Sequence, residues 1–110
     1  MEDFMLIVNG DDSKASPEQM QNTMVKYQAW MTKWKDQNKY LEGSPFKPEG
    51  RHLKIDSEVS EQGDFLNPET RVCGFIWIKA ESIDEATLIA QECPLLENLE
   101  IVVRPFLKMA

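Results

Sequence analysis

The chain predicts an α+β fold with its elements in the order β, α, β, β, α, β. Two stretches of helical periodicity each open on a capping signature, and both are flanked by short runs rich in β-branched and aromatic residues. The strongest of those runs is apolar on both of its faces. That calls for an antiparallel sheet with helices on one side and some other cover on the opposite side.

Phe4 to Val8 is the first apolar run, closed by Asn9-Gly10-Asp11-Asp12, residue types that favour turns and positive φ. Ser16-Pro17-Glu18-Gln19 then supplies a capping hydroxyl, a proline at the first helical position and a glutamine able to reach back to the cap. Met20, Met24, Tyr27, Met31 and Trp34 recur at spacings of four and three, which predicts a helix to about Asn38 with Trp30 widening its apolar stripe. Tyr40 to Gly50 carries Gly43, Pro45, Pro48 and Gly50 and reads as an extended, turn-rich passage with room for a short edge strand.

Arg51 to Asp56 alternates polar and large side chains and is the second predicted strand, half-exposed and followed by the polar stretch Ser57 to Asp64 as a hairpin candidate. Val72 to Ala80 is the strongest strand and belongs at the sheet centre. Ser82-Ile83-Asp84-Glu85 repeats the capping logic, and Ala86, Ile89, Ala90 and Cys93 form the face of a shorter helix stopped by Pro94. Leu99 to Val103 is the last strand, ended by Arg104-Pro105. The whole is a ferredoxin-like arrangement, read as one domain over residues 1–110.

On the central strand Cys73, Phe75 and Trp77 alternate with Gly74, Ile76 and Ile78, and on the first strand Phe4, Leu6 and Val8 alternate with Met5 and Ile7. Two helices cover one face of such a sheet. A second copy of the chain covers the other, so a homodimer is expected; the alternative cover is the Tyr40 to Asp64 segment folded back on itself.

Apolar residues make up 42% of the 110, enough for a core without staples, and Cys73 and Cys93 read as buried, reduced thiols. Nineteen acidic against twelve basic residues give a net charge of −7, which disfavours nucleic acid and anionic membrane surfaces as partners. With no targeting signal and no apolar run long enough for a bilayer, a cytoplasmic location is expected.

Phe4-Met5-Leu6-Ile7, Ser16-Pro17-Glu18, Gly63-Asp64-Phe65, Gly74-Phe75, Ser82-Ile83-Asp84-Glu85-Ala86, Cys93-Pro94 and Val103-Arg104-Pro105 together resemble the YCII-related family, in its branch named for a DGPFAETKE motif. The resemblance implies a dimeric α+β barrel, two ferredoxin-like sheets packed face to face around interior cavities. The family's activity is poorly defined, and related barrels include muconolactone isomerases and heme or quinone monooxygenases. Here the motif has drifted: Asp-Gly-Pro-Phe becomes Gln62-Gly63-Asp64-Phe65, and the following five positions are Leu66-Asn67-Pro68-Glu69-Thr70.

Candidate site residues follow from loops on a rigid sheet next to an aromatic strand. Asp64 is the candidate base, with Phe65, Glu69, Arg71, Phe75, Trp77 and Arg104 as ligand contacts and Arg71 or Arg104 as the anion partner. The expected function is binding of a small apolar or aromatic acid in the barrel, the alternatives being proton-transfer or isomerase-like chemistry there, or a non-catalytic dimerisation module. His52, the sole histidine, is a candidate for proton transfer, but its neighbours Arg51 and Lys54 favour a surface strand, and Asp56, Glu58 and Glu61 lack the glycine and the spacing of a calcium loop. The Met20, Met24, Met31 stripe reads as core. Nucleophile-elbow, phosphate-loop and paired-cysteine motifs are absent, and no cofactor or metal is expected.

Overall fold

In the computed structural model, residues 1–11, 15–64 and 71–108 are described. Strand β1 spans Glu2–Asn9, helix α1 Pro17–Asp36, β2 Tyr40–Pro45, β3 Glu49–Leu53, β4 Val59–Asp64, β5 Val72–Ala80, helix α2 Ile83–Gln91 and β6 Glu100–Pro105, with short 3-10 turns at Ile55–Ser57 and Pro94–Glu97.

Four strands form one antiparallel sheet in the order β2-β5-β1-β6, and β3 pairs with β4 in a separate hairpin. This is the ferredoxin-like α+β order, with the hairpin inserted between the second and third strands of the sheet. The second strand of the sheet is therefore Tyr40–Pro45, inside the passage read as turn-rich, while Arg51 to Leu53 belongs to the hairpin. Gly43 and Pro45 suppress the strand signal locally, yet an edge strand needs a ladder partner on one side only and tolerates both.

Helix α1 starts where its capping box predicts: Ser16 Oγ accepts from the Gln19 N–H at 3.1 Å, and Gln19 Oε1 accepts from the Ser16 N–H at 2.9 Å. It ends at Asp36 with Gln37 as its cap, and Asn38 just beyond takes φ +59°, the left-handed conformation asparagine tolerates better than most side chains. In α2 the Ser82 hydroxyl accepts from the Glu85 N–H at 3.2 Å.

Both helices cover the face carrying Phe4, Leu6, Val8, Ile76, Ile78 and Ala80, all buried against Trp30, Ala86, Ile89, Ala90 and Cys93. Trp30 locks the two helices together, its indole N–H donating to the Ile89 carbonyl at 3.0 Å. Cys93 is buried as expected, whereas Cys73, which alternates onto the opposite side of β5, is only partly covered. No described helix is long and apolar enough to cross a membrane.

The other face has no helix. Cross-strand register lays two rows over it: Ser44, Phe75, Ile7 and Val102, then Glu42, Trp77, Met5 and Arg104. Phe75 leans on Phe46 with ring centroids 5.8 Å apart, and Trp77 stacks on Phe106 at 5.3 Å. Among the described elements the hairpin packs substantially only on itself, so it does not fold back over this face. It turns through Asp56 and Ser57, at φ +71° and +65°. The radius of gyration, 15.3 Å, exceeds the roughly 13 Å of a compact chain this long, in keeping with an arm that stands off the sheet.

Candidate functional site

A cleft of about 280 Å³ opens between α1 and the β2–β5 side of the sheet. Its floor is Val8, Gly43, Gly74 and Ile76; Met24, Tyr27 and Met31 of α1 form the roof. The methionine stripe is thus only partly core: Met24 is 48% exposed and borders the cleft. Unbranched thioethers fit a wall that adapts to what it contacts.

The aromatic end of the cleft is held on several sides. Tyr27 stacks on Trp30 at 5.6 Å, and Trp30 meets Tyr40 edge-on at 6.0 Å. The Tyr27 and Tyr40 hydroxyls are 3.2 Å apart. The backbone beside Tyr40 is fixed by the Lys79 N–H donating to the Lys39 carbonyl at 2.7 Å, and Lys39 pairs with Glu85 of α2 at 3.0 Å. Hydrogen bonding to Lys39, and then to the Glu81 backbone N–H, holds the Glu85 carboxyl below the usual range.

Burial, reinforced by the bond to Tyr40, pushes the Tyr27 phenol well above its ordinary value. It is neutral throughout the physiological range, a hydrogen-bonding group rather than a base.

Arg71 stands at the other end. The turn after β1 positions it: Gly10, at φ +126°, donates its N–H to the Arg71 carbonyl at 3.0 Å, and the guanidinium lies 3.5 Å from Asp11. Only 13% of the Arg71 side chain is exposed, and it is the one charged side chain among the described residues that line the cleft. A half-buried guanidinium facing an apolar cavity keeps donors available for a carboxylate, since one ion pair uses few of its five.

The sequence-derived candidates are divided by the fold. Arg71 and Phe75 border the cleft. Trp77 and Arg104 lie on the open sheet face, where the Trp77 indole N–H donates to Asp3 at 3.0 Å and Arg104 sits across from Met5. Asp64 is exposed at the end of the hairpin, across from Glu49. Phe65 and Glu69 lie outside the described residues. His52, on the hairpin opposite Glu61, is also exposed.

Tyr27, Tyr40 and Phe46 are not among the site residues to which the sequence points. The available signal was a tyrosine on the helical stripe and another just past the helix end, a spacing that brings both under one roof only once Tyr40 is known to start a strand. Among the described residues no group of three or more His, Cys, Asp or Glu side chains is placed to hold a metal ion.

A family model described as the YCII-related domain matches residues 3–110. The chain belongs to this family. No curated protein matches the sequence of this YCII-related chain. Among solved structures, the YCII-related fold is similar to 5-chloro-2-hydroxyhydroquinone dehydrochlorinase (TftG) from Burkholderia phenoliruptrix AC1100, determined in complex with 2,5-dihydroxybenzoquinone. The TM-score is 0.58 at 15% identity, covering 96% of this chain and 93% of that one. At that identity the likeness establishes the fold.

Proposed function

We propose that this YCII-related protein is a homodimer that binds a small apolar or aromatic acid, and that the ligand occupies the cleft between α1 and the sheet. The observation that carries the reading is the cleft itself: apolar walls of a volume suited to one ring, with a single half-buried cation at one end and a tyrosine pair at the other. That the similar fold of TftG was determined with a ring ligand, 2,5-dihydroxybenzoquinone, is in keeping with it. The two free thiols suit a reducing, cytoplasmic setting.

In this reading Arg71 is the anion partner and the Phe75 backbone borders the cleft, while the side chains of Phe75, Trp77 and Arg104 belong to the face that meets the second subunit. Asp64 is outside the cleft lining, so the reading rests on binding rather than on proton abstraction by that carboxylate.

The test is calorimetric titration of the purified protein with benzoate, phenylacetate and 2,5-dihydroxybenzoquinone. Binding of at least one, weakened about tenfold or more in Arg71→Gln, is the expected result, since a charge-assisted bond contributes about 1.5–3 kcal/mol. No heat and no thermal shift with any of the three would count against the cleft as a ligand site.

A further inference from the structure

The hydroxyls of Tyr27 and Tyr40 bring two protons to one hydrogen bond. Whichever phenol donates across the 3.2 Å gap, the other keeps an O–H for which no acceptor stands among the described residues. Tyr40 is 7% exposed, and both tyrosines border the cleft. The pair is only part-buried and opens on the cleft, so the spare O–H is directed at whatever enters there, water or a ligand oxygen.

Gly43 is an independent sign that the hydroxyl position is built. A Cβ at residue 43 would come within 2.6 Å of Tyr40 Oη and 3.0 Å of the Phe75 carbonyl. Its φ is not positive, so the backbone conformation does not itself require glycine; the space beside the phenol does.

We infer that the Tyr27–Tyr40 pair, seated by Gly43, is a hydrogen-bond-donating subsite for an uncharged carbonyl oxygen, which narrows the ligand class to oxo-substituted ring acids. This rests on the reading of the cleft as a small-acid site. A carbonyl is favoured over a phenolate because Arg71 is the only charged side chain among the described lining residues. Lys35 Nζ lies 5.6 Å from the centre of the Tyr40 ring but outside the cleft lining, so a second anionic group at the tyrosine end would meet no counterion within the cleft. Tyr27 keeps its proton, so the pair offers a donor across the physiological pH range.

The experiment compares cyclohexanecarboxylate with 4-oxocyclohexanecarboxylate, two probes alike but for the carbonyl, by calorimetric titration of the full chain. The wild type is expected to prefer the oxo probe by about tenfold, the worth of one buried hydrogen bond. In Tyr27→Phe/Tyr40→Phe the ratio of the two affinities falls to within about twofold, because the donor has been removed while both rings remain. Either single Phe variant keeps one phenol with its proton released, and so keeps most of the preference. Gly43→Ala, which crowds Tyr40 Oη, loses it; this variant decides the matter if the double variant does not fold.

Equal binding of both probes by the wild type overturns the subsite and leaves the acid-binding reading standing. So does a preference that survives in the double variant. Absence of binding by either probe overturns both. A merely structural tyrosine pair would change stability in these variants but not the ratio of the two affinities.

Discussion

Replacing Ile7 with lysine tests the dimer through the residue best placed to break it. Ile7 is the middle of the row Phe75–Ile7–Val102 on the uncovered sheet face, on one of the two inner strands, and contributes nothing to the helix-side core. A lysine there leaves the monomer's packing intact and places an ammonium at the centre of the proposed dimer interface. Burying an isoleucine side chain contributes about 1.5–3 kcal/mol. Ile7 is already partly covered by its neighbours, so the lower part of that range applies. A two-fold axis doubles the effect. About 3 kcal/mol per dimer weakens association by at least ~100-fold before the cost of desolvating two charges is counted. Sedimentation equilibrium over a dilution series reads this directly: a wild-type dimer at ~10 µM and a monomeric Ile7→Lys of unchanged far-ultraviolet circular dichroism are expected. A wild-type monomer at that concentration, or an Ile7→Lys dimer of wild-type affinity, would refute the argument that missing cover drives association.

Three further outcomes follow from single contacts. Ser16→Ala removes the acceptor for the Gln19 N–H and is expected to lower stability by about 1 kcal/mol in urea denaturation, with the fold unchanged. Trp30→Phe removes the indole donor, leaves the Ile89 carbonyl only the 3.3 Å bond from the Glu92 N–H, and opens space between the helices, for an expected loss of about 2–4 kcal/mol by the same measurement. Cys93, whose thiol burial pushes up to about 11 from an ordinary 9.0, shapes the alkaline limb. Because the folded value is the higher one, its stabilising contribution is whole below pH 9 and is lost as pH rises toward 11. The loss amounts to about 2–3 kcal/mol, so Cys93→Ala should flatten the fall of the urea midpoint between those values, and an identical slope in both proteins would contradict it.

The elements legible in the sequence are those whose signals are local. Ser16, Pro17 and Gln19 encode the start of α1 in adjacent residues, and the structure makes both bonds of the box. Val72–Ala80 carries enough β-branched and aromatic weight to be an inner strand anywhere, and it is one, between β2 and β1. The alternation of Phe75 and Trp77 against Ile76 and Ile78 is realised as one half-covered face and one buried face. The identity of the second strand was not legible, because it depends on pairing at a distance: Arg51 to Leu53 alternates as a strand should and is one, but β4 provides its partner locally while the edge of β5 is taken by Tyr40–Pro45. The tyrosine end of the cleft was not legible for the same reason. Phe75 and Trp77 are the conspicuous aromatics of the central strand. The cleft is formed instead by Tyr27 and Tyr40, which are 13 residues apart and adjacent only after α1 has turned back onto the sheet.

The residues that hid β2 are also the ones that shape the cleft. A stronger strand former at position 43 would place a side chain where Tyr40 Oη and the β5 backbone already stand. A β-branched residue at position 45 would raise the local strand signal and change the rim beside Phe46, where Pro45 borders the opening. The weak strand signal therefore reflects a physical conflict between ordinary strand chemistry and the space the tyrosine pair occupies. Where local preference gives way at the lining of a cavity, the cavity's occupant is the economical explanation. That makes Gly43→Ala more informative than its single methyl suggests: a backbone gain of up to ~1 kcal/mol is set against a clash with Tyr40 Oη and the Phe75 carbonyl that displaces the phenol. A folded Gly43→Ala protein that has lost its preference for the oxo probe would separate what this strand needs for pairing from what it needs for the ligand.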